Sequence, residues 1–156
     1  MEQGSAESTT VSFATLLPRS QDTELHVRLT SRAKSLMVSV ATTGTDEGDH
    51  ARSELGSFVY ALPNRYQAGD PLCTTLYSDE KSLEFAVRLA KLIVRRTQMV
   101  AYVSTSISLE RMGLGGTVEE ILEAYQAVVT PLAGYLPKSQ PAVQTNGLSS
   151  LADEQR

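Results

Sequence analysis

Apolar and polar residues alternate along the segment TELHVRLT, and this period of two constrains the fold more than any other feature of the sequence. Leu25, Val27 and Leu29 fall on one side of an extended chain, whereas His26 and Arg28 fall on the other. A period of two is typical of a β-strand with one face against a core. The sequence therefore predicts a sheet that buries one of its faces.

Four more segments have the composition of strands. A short polar turn, SRAKS, leads to SLMVSVATT, so the first two strands are predicted to form a hairpin. Met37 lies on the side of that second strand away from the core residues, which indicates partial cover there. The later strands are SFVYALP, LCTTLY and QMVAYVSTSIS, where β-branched and aromatic residues dominate. The last of these is predicted to be a central strand.

Two segments repeat apolar residues at i, i+3, i+4 and i+7, the pattern of amphipathic helices. The first covers about residues 79–96. In the second, Thr117 and Glu120 match a capping box ahead of an apolar run, and we expect the helix to end before Pro131. The predicted fold class is α+β, with a largely antiparallel sheet of about five to six strands covered by two amphipathic helices.

The chain of 156 residues has the length of one domain with polar segments at both ends. Residues 1–10 are small and polar, and residues 138–156 are rich in Ser, Gln, Pro and Asn. Such segments bury too little apolar surface to offset the entropy lost on ordering. We predict disordered tails at 1–10 and 138–156 and a single α+β domain at 11–137.

Charge and composition exclude several classes of function. The 14 Lys and Arg residues are outnumbered by 18 Asp and Glu residues, so nucleic acid is not an expected partner. No stretch holds the ~20 apolar residues of a membrane span, and the start of the chain lacks a signal-peptide pattern. Cys73 is the only cysteine, which excludes an intramolecular disulfide. The expected location is the cytoplasm, with the nucleus also open.

The side chains that could act as nucleophiles, bases or metal ligands are not grouped in a catalytic pattern. Cys73 has no base or cationic cluster nearby in the sequence, so we expect a buried structural thiol. His26 and His50 stand in unrelated contexts, and a metal site requires three or four clustered ligands. The acidic loop lacks the spacing of an EF-hand and is interpreted as solvated. Its acids are Asp46, Glu47 and Asp49. The sequence predicts no catalytic residue, metal or cofactor.

The glycines ahead of the second helix could instead form a phosphate-binding loop. Gly113, Gly115 and Gly116 precede a helix N-terminus, a geometry that can bind phosphate. The segment GLGGTVEE lacks the Lys of a P-loop, and its two glutamates would repel an anion. We therefore favour a linker and keep a small enzyme or ligand-binding domain using this loop as a lesser alternative.

Several motifs, in order, resemble the proteasome assembly chaperone 4 family. The resemblance spans about residues 11–106 and begins at Val11-Ser12-Phe13. Its further motifs are Arg28-Leu29-Thr30, Arg65-Tyr66 followed by a proline and Thr74-Thr75, and Leu89-Ala90 through Arg96-Thr97. The chain differs from shorter family members by its loop 108–116, its fuller second helix and its long C-terminal segment.

The resemblance implies a non-catalytic chaperone that pairs with a related small chaperone, similar to proteasome assembly chaperone 3. The pair would bind 20S proteasome α subunits while the α ring forms. Candidate partner-binding residues are Arg28, Arg65, Tyr66 and Arg96, because Arg and Tyr are enriched at binding hot spots. For each, the alternative is a surface side chain whose stem covers the sheet. The runner-up function is a scaffold module of another multiprotein complex.

Overall fold

The computed structural model describes residues 7–17, 19–20, 22–44, 55–109 and 115–139. Six strands and two helices lie within these stretches. In chain order they are β1 (Thr9–Leu16), β2 (Thr23–Ser31), β3 (Ser35–Gly44), β4 (Ser57–Leu62), β5 (Leu72–Tyr77), α1 (Glu80–Thr97), β6 (Val100–Ser106) and α2 (Val118–Tyr135). The predicted α+β class is confirmed.

All six strands form one sheet in the order β1-β2-β3-β6-β4-β5. Neighbouring strands are antiparallel except β3 and β6, which run parallel. β6 enters between β3 and β4 after α1 has crossed over the sheet, so the predicted central position of this strand is confirmed. The predicted hairpin of β2 and β3 is also present.

Both helices cover the same face of the sheet. Leu25, Val27 and Leu29 of β2 are buried on that face, as the period of two predicts. α1 packs on β4 and β6, while α2 lies against the β2 side. Leu89 and Ile93 of α1 are fully buried there, and burial of a side chain of this size contributes about 1.5–3 kcal/mol. The core is therefore one layer between sheet and helices.

β1 is a strand that the alternation pattern did not predict. The eight residues pair with β2 from Thr9 opposite Ser31 to Leu16 opposite Glu24. Thr9 lies inside the segment 1–10 predicted to be a tail, so pairing extends further toward the N-terminus than expected. The strand lies at the edge of the sheet, where Phe13 packs against the core cluster as a partly buried residue.

The prediction that the second helix ends before Pro131 is wrong, because α2 continues to Tyr135. Pro131 has no N–H to donate to the preceding turn, which costs roughly 3 kcal/mol in a helix interior. The last turn nevertheless holds Leu132 fully buried and stacks Tyr135 on Phe13 with ring centroids 5.9 Å apart. These contacts offset the lost hydrogen bond.

Several predictions fall on residues outside the described stretches. They concern His50, the acidic loop at 45–54, Gly113 and most of both predicted tails. Within the described stretches, neither helix combines the length and apolar character needed to cross a membrane.

Candidate partner-binding surfaces

The face of the sheet opposite the helices has no covering layer among the described residues. We call it the open face, formed by the strand residues that alternate with the core, such as Arg28, Met37, Tyr60 and Tyr102. Met37 is 45% exposed, so the partial cover that its position indicates is not supplied by the described part of the chain. Large apolar side chains on such a face are a feature of interaction sites.

An aromatic cluster occupies the half of the open face formed by β6 and β4. The pairing of these strands places Tyr60 opposite Tyr102 and Phe58 opposite Ser104. The Tyr60 and Tyr102 ring centroids are 5.0 Å apart, and those of Phe58 and Tyr102 are 6.3 Å apart. All three rings are only partly buried. They form a preorganised apolar surface on rigid strands.

Exposed apolar side chains extend this aromatic cluster in both directions across the sheet. Met37 lies opposite Tyr102 on β3, while Tyr77 lies opposite Phe58 on β5. Tyr77 and Leu72 are both about half exposed. The apolar part of the open face therefore spans four neighbouring strands.

A groove of about 510 Å³ crosses the other half of the open face. It is lined by residues 12–14 of β1, 26–28 of β2, and Ser39 and Ala41 of β3. The pairing places Arg28 between two serines and His26 between two alanines, so small side chains flank each long one. A bulky side chain from a partner would fit over these small residues.

The two basic side chains of the groove differ in their surroundings. His26 Nε2 lies 2.8 Å from Thr43 Oγ1 and 3.4 Å from Glu24 Oε2. Arg28 makes no ion pair with any described residue. Its guanidinium is thus available to a carboxylate from another molecule.

The four predicted partner-binding residues separate into two groups. Arg28 lies on the open face. Arg65 and Tyr66 lie in the turn between β4 and β5, and Arg96 lies at the end of α1. The turn and the helix end meet at the same end of the sheet, since Lys91 Nζ of α1 is 3.1 Å from Asp70 Oδ1 of the turn. Three of the four residues therefore lie at the same end of the sheet, and Arg28 lies on its open face.

Side-chain and backbone hydrogen bonds give the turn between β4 and β5 a defined shape. The amides of Tyr66 and Gln67 donate to Asn64 Oδ1 at 3.0 and 3.2 Å. This is an Asx turn, in which a side chain replaces a backbone acceptor. The Tyr66 ring is fully exposed at its tip.

Cys73 is half-buried rather than buried as predicted. Burial raises the pKa of its thiol, and the positive charge of Lys91 opposes this only in part. A raised pKa keeps the sulfur in its protonated, weakly nucleophilic form. The environment of Cys73 therefore suits a structural thiol and not a nucleophile.

The glycine loop ahead of α2 binds a carboxylate of its own chain. Glu120 Oε2 accepts hydrogen bonds from the amides of Gly116 at 2.8 Å and Thr117 at 3.1 Å. Thr117 Oγ1 in turn accepts from the Glu120 amide, which completes the predicted capping box. The amides of Gly116 and Thr117 are thus occupied by a carboxylate, which argues against the ligand-binding alternative. The described residues also hold no cluster of three potential metal ligands.

The aromatic cluster was missed in the sequence, although a signal for it exists. In SFVYAL the alternation places Phe58 and Tyr60 on the side away from the buried Val59 and Ala61. Aromatic residues on the nominally exposed side of two predicted strands indicate a face that a partner covers. Only the pairing of β4 with β6 shows that Tyr102 joins them.

Comparisons with known proteins agree with this architecture. Residues 24–107, more than half of the chain, match the sequence model of a family described as proteasome assembly chaperone 4. The fold is similar to a chain in a crystal structure of a chaperone complex for yeast 20S proteasome assembly, with a TM-score of 0.57 and 16% sequence identity. That match covers 83% of this chain and 94% of the other. No curated protein sequence matches.

Proposed function

The chain belongs to the proteasome assembly chaperone 4 family, and we propose that it is a non-catalytic chaperone that pairs with a related small chaperone through the open face. We further propose that the pair binds 20S proteasome α subunits and promotes assembly of the α ring, in the cytoplasm and nucleus. The observation that carries the proposal is the aromatic cluster on a sheet face that no described element covers.

The architecture favours pairing by the open face. A sheet with helices on one side presents its other side as a flat surface, and two such sheets can pack face to face about 10 Å apart. Phe58, Tyr60 and Tyr102 would lie at the centre of this contact, where aromatic residues contribute most. A standard interface buries about 800 Å² on each partner. One face of a six-stranded sheet is of the size required.

Arg28 belongs to the same proposed interface. It lies on β2 within the groove and has no acidic partner among the described residues. A partner that places a carboxylate beside it would gain a charge-assisted hydrogen bond away from water. Arg65, Tyr66 and Arg96 lie off this face, and we assign them to contact with α subunits.

Co-expression with the related small chaperone of the same organism tests the interface. We expect the two full-length chains to co-purify as a one-to-one complex. Tyr60→Asp and Tyr102→Asp should each abolish co-purification, because a charge in the centre of the contact would be buried without a partner. Val118→Asp is the matched control, since Val118 is 82% exposed on α2, away from the open face.

The result decides between the proposal and its alternatives. If Tyr60→Asp and Tyr102→Asp retain the small chaperone as well as Val118→Asp does, the open face is not the interface. If the wild-type chain binds no related chaperone but co-purifies with subunits of another complex, the scaffold-module alternative takes the place of the proposal.

A further inference from the structure

Five basic side chains from three separate segments meet at one end of the molecule, which we call the cationic end. Arg32 and Lys34 lie in the β2–β3 turn, Arg65 lies in the β4–β5 turn, and Arg95 and Arg96 lie in the last turn of α1. They are distant in sequence, so only the fold brings them to the same end.

Strand pairing establishes that these segments share an end. β3 begins with Ser35 opposite Val100, the first residue of β6, so the β2–β3 turn lies beside the end of α1. β4 runs antiparallel to β6 and passes Ala61 opposite Ala101, so the β4–β5 turn lies there as well.

The charges at the cationic end are largely uncompensated. None of its five basic residues forms an ion pair with a described residue. The described acids at this end are Asp70, which already pairs with Lys91 at 3.1 Å, and Glu7 just ahead of β1. The whole chain carries a formal net charge of −4, so composition does not account for a positive surface.

Among the described residues, the opposite end of the sheet carries more acidic than basic side chains, so the described charges are divided unevenly between the two ends. Helix N-termini and the β1–β2 loop lie there, with only Arg19 and Lys81 as described basic residues. Its acids include Asp22, Asp79, Glu80, Glu119 and Glu120. An uneven charge distribution orients a partner during encounter and fixes which end it meets.

The cationic end also carries an aromatic side chain held ready for contact. The hydrogen bonds from the Tyr66 and Gln67 amides to Asn64 Oδ1 define the turn, and the Lys91–Asp70 ion pair ties it to α1. Tyr66 is therefore exposed on a turn of defined shape, directly beside Arg65. Tyr and Arg presented together on an ordered turn are typical of hot spots in protein interfaces.

We propose that the cationic end binds an acidic segment of a proteasome α subunit, with Arg65, Tyr66 and Arg96 as the main contacts. This inference rests on the proposed function and specifies the chemistry of its second partner. The cationic end adjoins the open face without being part of it, so the related chaperone and the α subunit can bind together. RNA is a poorer match, because the net charge of −4 opposes a phosphate backbone over the rest of the surface.

The test measures binding of each of the seven recombinant α subunits to the full-length chain in complex with its small chaperone. We expect Arg65→Glu, Arg96→Glu and Tyr66→Ala each to weaken binding of the preferred subunit about tenfold or more. Arg88→Glu makes the same charge change on an exposed part of α1, two turns before Arg95, and should change affinity less than about twofold. Binding of the small chaperone should be the same in all variants.

Each outcome separates this inference from the proposed function. If an α subunit binds and the three substitutions at the cationic end leave its affinity unchanged, the inference is overturned and the proposed function stands. If no α subunit binds, poly-L-glutamate serves as the probe; binding that Arg65→Glu abolishes would show an acidic partner other than an α subunit and overturn the proposed function. Tighter binding of single-stranded RNA than of any α subunit, lost in Arg65→Glu, would overturn the assignment to a protein partner.

Discussion

Arg28 places a full positive charge on a face that we expect to be covered. Burying a guanidinium without a carboxylate costs several kcal/mol. Glu24 is the one acid among the described strand residues of this face, and it lies beside His26. Within the described strands, a second copy of the chain would therefore offer Arg28 only Glu24, which already lies 3.4 Å from His26, whereas a different partner can supply a carboxylate of its own.

A substitution of Arg28 tests this selectivity. Arg28→Met keeps an unbranched apolar stem and removes the guanidinium charge, so we expect about tenfold weaker binding of the related chaperone and stronger self-association. Sedimentation equilibrium of the full chain, alone and mixed with its partner, measures both. Arg32→Glu, in the turn outside the face, is the control. Equal self-association of wild type and Arg28→Met would show that Arg28 does not select the partner.

Gly56, directly before β4, lies against the backbone of β6. A Cβ atom at this position would lie 1.8 Å from the carbonyl oxygen of Thr105, a backbone atom that cannot move aside. We expect Gly56→Ala to lower the free energy of unfolding by more than about 2 kcal/mol, measured by urea denaturation. Gly134→Ala meets no atom within 4 Å in α2 and should raise it by up to about 1 kcal/mol. Equal stabilities of the two variants would contradict this packing.

The thiol of Cys73 should react slowly. Because burial raises its pKa, the reactive thiolate is scarcer at neutral pH than in an exposed cysteine, and it increases as the pH rises. We expect iodoacetamide to alkylate the folded chain much more slowly than the urea-unfolded chain at the same neutral pH. Similar rates in the two states would mean that Cys73 is exposed and unperturbed.

Among the elements, α2 shows most clearly what local sequence can and cannot predict. Its start follows from Thr117 and Glu120, because a capping box is formed within one turn of chain. Its end does not, because Leu132 and Tyr135 extend the helix through contacts with the sheet that no local rule contains. The same limit applies to β1, whose few apolar residues give no clear period and whose strand state depends on pairing with β2.

Replacing Pro131 within α2 should change the stability of the protein. Pro131→Ala restores an N–H donor within the helix and should raise the free energy of unfolding by about 1–3 kcal/mol. Thermal denaturation monitored by circular dichroism measures this change. Ala133→Gly, at an exposed position of the same helix, is the opposite control and should lower the free energy of unfolding by roughly 1 kcal/mol. A lower melting temperature for Pro131→Ala would mean that the proline ring contributes more by packing than its missing hydrogen bond costs.

The candidate site was predictable only in part, for a similar reason. Arg28 can be placed on the exposed side of its strand from the period of two alone, and that placement is confirmed. The cluster of Phe58, Tyr60 and Tyr102 depends on the antiparallel pairing of β4 with β6, which are separated by β5 and α1 in the sequence. The cationic end likewise needs the order of strands in the sheet.

At the scale of the whole molecule, the two surfaces should respond differently to salt. Ions screen contacts between exposed charges, with a Debye length of about 10 Å at 0.1 M, and affect apolar contacts much less. We expect the affinity for the α subunit to fall about tenfold or more between roughly 0.05 and 0.5 M NaCl, and the affinity for the small chaperone to change little. Isothermal titration of the two partners at each salt concentration measures both. If the affinities for the α subunit and for the small chaperone depended equally on salt, the two binding surfaces would not differ in chemistry as proposed.

The central claim is that this protein is an assembly chaperone for the 20S proteasome, and affinity purification of the tagged full-length chain from growing cells tests it most directly. Mass spectrometry of the co-purified proteins should find 20S α subunits and a second small chaperone, without mature β subunits. Recovery of complete 20S particles, or of neither α subunits nor a small chaperone, would contradict the account.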